Sequence, residues 1–129
     1  MLDKYIEELE KDLGIERFSL DEKTLMVPGI KGKWLSKMAK HKKEQKNYER
    51  LLTDAKAKLF KEYETNSDIA YTKATLDKLI LGEDIIVKIY SNINAERSLV
   101  EFCEKALSIT SSMTYDIKNI IEWSKLELT

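Results

Sequence analysis

The chain has 129 residues, 43% of them hydrophobic and 35% charged, with a formal net charge of −1; this is material for one modest domain with a lean towards helices. Four Gly and one Pro leave little for Gly-rich phosphate loops or a many-turned β-sandwich, and no Walker-type GxxxxGK[ST] run is present. A single Cys, Cys103, and a single His, His41, rule out an internal disulfide and a soft-ligand zinc site, so neither metal nor cofactor is expected.

The first element is expected over Leu2 to Leu13, where Leu2, Tyr5, Ile6, Leu9 and Leu13 recur at three-to-four spacing, and Gly14 suits a left-handed C-terminal cap. Acids lie within its first few residues and no apolar run is long enough for a signal peptide or a membrane span, so the chain is expected to stay inside the cell. SLDE, Ser19 to Glu22, has capping-box spacing and opens a brief second helix closed by Pro28 and Gly29; LMVPGIKG reads equally well as extended. From Trp34 to about Tyr63 nothing breaks a helix of about 45 Å, and TNSD, Thr65 to Asp68, ends it with turn and N-cap residues.

Asp68 to Leu81 reads as a short helix before Gly82, and Glu83 and Asp84 start another that runs to about Thr110. Within it DIIVKIY fits a buried strand as well as a helix. Tyr115 to Leu128, with Ile117, Ile120, Ile121, Trp123 and Leu128, forms a last amphipathic helix. The expected fold is mostly α: one small helical domain over residues 1–129, with a short β element near 24–31 or 84–90 left open. Residues 1–66 would hold the acidic helix and a long basic one, and residues 67–129 the C-terminal helices.

The small net charge hides a segregation. Residues 1–30 carry four bases and eight acids, residues 31–61 eleven and three, and residues 62–129 seven and twelve. Trp34, Met38, His41, Gln45, Tyr48, Leu52, Ala55 and Leu59 alternate steps of four and three and draw one packing stripe along the long helix. Lys33, Lys37, Lys40, Lys43, Lys46, Arg50, Lys58 and Lys61 occupy the rest of its circumference, with Lys42 and Lys56 nearer the stripe's borders. A solvated helix face ordinarily mixes Glu with Lys, yet here only Glu44, Glu49 and Asp54 interrupt the bases. Such self-repulsion needs compensation, either from acidic flanks of the same or neighbouring chains or from a polyanion, and the sign bias favours the polyanion.

Catalysis finds little support. His41 sits in the apolar stripe without a partner at useful spacing, and Cys103 lies between Glu101 and Glu104, whose charges would raise its thiol pKa, so both read as packed residues. Glu7 with Glu8 and Glu83 with Asp84 are adjacent and point in different directions on a helix. No enzyme is expected.

KWLSKMAKHKKE, then AKAKLFKEY from Ala55, then EFCEKALSITSSMTYDIKNII resemble, in residue type, order and spacing, the UvsY-type recombination mediators of T-even-like bacteriophages, over about Lys33 to Trp123. The resemblance implies a non-enzymatic protein in the cytoplasm of the infected bacterium. It would bind single-stranded DNA, contact the phage recombinase and the phage single-strand-binding protein, and help the first replace the second. It also implies a homo-oligomeric ring of six or seven subunits, assembled through the C-terminal helix and free of any membrane.

By that resemblance Lys56 and Lys58 fall on the family's DNA-binding cluster, with Lys58 standing where the family has Arg; a phosphate contact survives this change, but the planar fork is lost. Lys37, Lys40, Lys43, Lys46 and Arg50 extend the set along the basic helix. Ile117, Ile120, Ile121 and Trp123 map to the assembly helix, with core packing inside one chain as the alternative. Tyr48, Tyr63 and Trp34 are the aromatic residues near the bases, but they lie on the apolar stripe and read as core. A different reading is a non-enzymatic helical oligomeric scaffold whose basic helix binds acidic protein surfaces.

Overall fold

The structure, a computed structural model, describes residues 1–14, 20–66 and 70–127. Among these described residues lie four helices, α1 (Leu2–Leu13), α2 (Leu20–Asn66), α3 (Lys73–Leu81) and α4 (Asp84–Glu127). Two compact units emerge, one from Met1–Ala39 with Leu99–Thr129 and one from Lys40–Ser98, so α2 and α4 each supply residues to both.

In the first unit the amphipathic α1 buries Tyr5 and Leu9 against Ile30 and Trp34 of α2 and Cys103 and Ala106 of α4. Trp34 is fully buried, with the rings of Tyr5 at 5.6 Å and Phe102 at 5.8 Å, both edge-on. Val27, Met113 and Ile117 form a neighbouring cluster. Lys23, also buried, donates from its ammonium to the backbone carbonyl of Asp12, one of the carbonyls that the end of α1 leaves without a helical partner.

Several expectations are corrected here. Among the described residues there is no strand: both 24–31 and 84–90 are helical. Pro28 and Gly29 do not close a helix but lie inside α2. Proline in a helix interior costs about 3 kcal/mol, yet Pro28 is on the exposed side, while Val27, Ile30 and Trp34 around it are buried. At roughly 1.5–3 kcal/mol per buried apolar side chain, those three outweigh it. Ser19, the expected cap, lies outside the described residues, as does Asp68. Gly14 ends α1 at φ −67°, so the left-handed cap is absent; its N–H bonds instead to the carbonyl of Lys11.

DIIVKIY is helical because its burial is helical: Ile86 and Ile93 are buried and Ile89 and Tyr90 half-buried, whereas Ile85 and Val87 are each 55% exposed. The expected break after Thr110 is likewise absent. Thr110 is buried and its hydroxyl donates to the carbonyl of Ala106 at 2.6 Å, so its polar group is satisfied within the helix, and Met113 and Ile117 continue the buried stripe. The helix expected from Asp68 begins later, at Lys73, where the hydroxyl of Thr72 accepts from the N–H of Thr75. In the second unit Leu76 and Ile80 of α3, His41 of α2 and Ile86 and Ile93 of α4 are buried.

Candidate nucleic-acid interface

All eight positions of the predicted stripe on α2, from Trp34 to Leu59, are buried or half-buried. The polar member His41 is 2% exposed and its Nδ1 lies 2.6 Å from Glu96 Oε2; it is held in the second unit as a paired packing residue. At about 100° per residue, Lys40, Lys43, Lys46, Arg50, Lys58 and Lys61 fall within one arc of about 120° on the far side of the helix from this stripe. All six are exposed, and none makes an ion pair among the described residues. They run over about 30 Å of α2, interrupted on that arc by Asp54 alone among acids.

The other expected DNA contacts are placed differently. Lys37 belongs to the first unit, 3.4 Å from Glu8 and 4.6 Å from the centre of the Tyr5 ring. Its neighbour Lys33 bonds Glu8 at 2.8 Å and Asp12 at 2.6 Å, and Asp12 also accepts from Trp34 Nε1 at 2.9 Å. Glu8 and Asp12 of the acidic α1 therefore neutralise Lys33 and Lys37 within the chain. Lys56 is half-buried and donates to the Tyr90 hydroxyl at 2.8 Å, whereas Lys58, about 160° round the helix, borders a groove of ≈ 600 Å³ with Tyr48, Leu51 and Ile85. The structure thus separates Lys56 from Lys58. Sequence alone missed Tyr90 beside Lys56, because it comes from α4, 34 residues away, and Phe60, one turn on in α2, because it lines a groove that α3 and α4 complete; the available signal was Lys56 on the border of the stripe.

Among the stacking candidates Trp34 is core, while Tyr48 and Tyr63 are half-buried and the Tyr63 hydroxyl donates to Glu83. The assembly candidates divide too. Ile117 packs with Val27 and Met113, and Ile121 packs against the same cluster, whereas Ile120 is 42% and Trp123 69% exposed. Cys103 is core, as expected, but for another reason: burial pushes its thiol pKa up, with Lys37 opposing and Glu8 adding, while Glu101 and Glu104 are exposed.

A family profile described as recombination, repair and ssDNA binding protein UvsY matches residues 8–128. The chain belongs to the UvsY family. Crystal structures of the bacteriophage T4 recombination mediator protein UvsY share its fold. One lattice form superposes with TM-score 0.88 at 24% identity, covering 98% of each chain; a second gives 0.87 at 24%, covering 100% of this chain and 98% of the other. A third gives 0.81 at 25%, covering 94% and 96%. No curated protein matches the chain. Among the described residues no helix is long and apolar enough to cross a membrane.

The contact of α1 with α2 yields a test. Burial raises the Glu8 carboxyl pKa, but the hydrogen bond and charge of Lys33, then those of Lys37, outweigh it and hold the group below its usual 4.5. A carboxylate depressed in the folded state stabilises above its unfolded pKa and loses that contribution as pH falls through the folded value. Acidification from about pH 5 to about pH 3 should therefore weaken the first unit, and Glu8→Gln should shrink that loss by up to about 1 kcal/mol, the scale of a part-exposed pair. Melting curves followed by circular dichroism across this range check it. At neutral pH the same variant frees Lys33 and Lys37 from one acid and should leave polyanion binding at least as strong as the parent's.

Proposed function

We propose that this UvsY-family chain is a recombination mediator that holds single-stranded DNA on the exposed arc of α2 and helps a phage recombinase replace single-strand-binding protein. The observation that carries this is the run of six exposed bases, Lys40 to Lys61, with no ion pair to neutralise them among the described residues. Lys ammonium groups meeting phosphates release counterions without reading sequence, so binding is sequence-tolerant and falls with salt. Lys37 and Lys56 have partners inside the chain and contribute less than the arc. The description of the family as ssDNA-binding supports the same polyanion.

Copies of the chain assemble, in this proposal, into a ring of six or seven. Trp123 and Ile120 supply subunit contacts, since both are exposed, whereas Ile117 is spent on the chain's own core. A ring strengthens weak single-protomer contacts by effective concentration, because one strand touches several arcs. The test is the onset of recombinase filament growth on single strands already covered by single-strand-binding protein. Addition of the parent should shorten the onset. The variant Ile120→Asp with Trp123→Ala should keep its helicity, lose mass by light scattering, and shorten it less. An unchanged onset with the parent overturns the mediator role, and an unchanged mass in the variant removes these two residues from the interface.

A further inference from the structure

Lys56 opens onto a groove of ≈ 610 Å³ in the second unit, bounded by α2, α3 and α4; on the α2 circumference it adjoins the basic arc, since its lining residue Ala57 falls within the arc and Phe60 about 40° beyond its edge. Its volume lies within the roughly 300–1,000 Å³ of small-molecule clefts. Phe60 and Tyr90, both half-buried aromatics, and the buried Ile80 give it apolar walls, while among the described residues Lys56 and Lys73 stand against a single acid, Asp77. The ammonium of Lys56 is fixed by the Tyr90 hydroxyl at 2.8 Å and lies 5.2 Å from the centre of the Tyr90 ring. One of its three N–H groups is thereby used and two remain to donate.

We propose that this groove seats one unpaired nucleobase of the bound strand, with the adjoining phosphates on Lys56 and Lys73. The base rests on Phe60 and Tyr90, whose faces stack with any base, so the site is tolerant of sequence. Asp77 accepts from exocyclic amino groups where the base has them. A base in a duplex is stacked and paired and enters a concave site only after it is extruded, at a cost of a few kcal/mol; a single strand offers it free. The groove thus supplies a preference for single strands, which phosphate contacts along the arc do not provide. This inference rests on the single-strand reading above and adds to it the part that senses the base.

The experiment is a titration of the full chain with three labelled probes of equal length: an oligothymidine, a strand of abasic deoxyribose phosphates, and a duplex. The parent should bind oligothymidine about fivefold to a hundredfold more tightly than the abasic strand. Phe60→Leu and Tyr90→Leu keep apolar bulk without a ring face; in each, checked for native helicity, that ratio should fall towards one while the abasic affinity holds. The exposed Lys73→Ala should reduce the log-log salt slope by about 0.7 on both single strands. Lys43→Ala with Lys46→Ala, on the arc, should lower all three affinities and leave the ratio intact. Equal affinity of the parent for thymidine and abasic strands overturns the base site while leaving strand binding in place, as does a ratio that both Leu variants preserve. Absence of binding to any probe removes the single-strand reading and the base site together.

Discussion

Trp34→Ala should cost the first unit about 3–5 kcal/mol, the range for deleting a buried aromatic side chain. Its side chain is fully buried, contacts the rings of Tyr5 and Phe102 edge-on, and donates from Nε1 to Asp12. The change leaves a cavity where α1, α2 and α4 meet and removes one of the two side-chain donors that the described residues offer the Asp12 carboxylate, the other being Lys33. Since whole domains are stable by only about 5–15 kcal/mol, much of the margin would vanish. Trp34→Phe should lose less, because a ring still fills most of the space. Urea unfolding followed by circular dichroism gives both values; a loss below about 1 kcal/mol for the Ala variant would mean that Trp34 does not anchor α1.

Much of the helical content was legible in the chain, and the misreadings share one cause. The stripe from Trp34 to Leu59 repeats long enough for its period to fix both the helix and its buried side. Over seven residues DIIVKIY could not, and only the burial of Ile86 and Ile93 in the folded chain decides it. Pro28 is a local signal to stop, overridden by the burial of Val27 and Ile30, and the helix expected to end near Thr110 is carried on by the burial of Met113 and Ile117 in the tertiary core. Local chemistry sets where a helix would end alone; packing decides whether it does.

The site was legible in sign but not in detail. Eleven bases against three acids mark residues 31–61 as a positive segment in any fold. That Lys33 and Lys37 are neutralised by Glu8 and Asp12 depends on α1 lying beside α2, which charge counting does not reveal. The resemblance groups Lys56 and Lys58 as one cluster, although residues two apart on a helix point nearly opposite ways; the Tyr90 hydroxyl that fixes Lys56 comes from α4. The stripe of Ile117, Ile120, Ile121 and Trp123 divided for a similar reason, since one helix offers some of its apolar residues to its own core and leaves others exposed.

The second large effect is expected from clearing the arc. Lys40, Lys43, Lys46 and Arg50 are exposed, make no ion pair among the described residues, and lie on a helix that Ala supports well, so changing all four to Ala should leave the helices intact. If each meets one phosphate of a single strand, the log-log salt slope should fall in magnitude by about 2.8 per engaged protomer, at about 0.7 per contact. At about 0.1 M salt that amounts to a loss on the order of a few hundredfold, alike for all sequences.

The decisive measurement is the affinity of parent and quadruple variant for one labelled oligothymidine across a salt series, with helicity and mass recorded on the same samples. The expected result is a shallower slope and much weaker binding in a variant of unchanged helicity and mass. A variant of native helicity and mass that binds with the parent's affinity and slope would contradict the assignment of the α2 arc as the strand-binding surface.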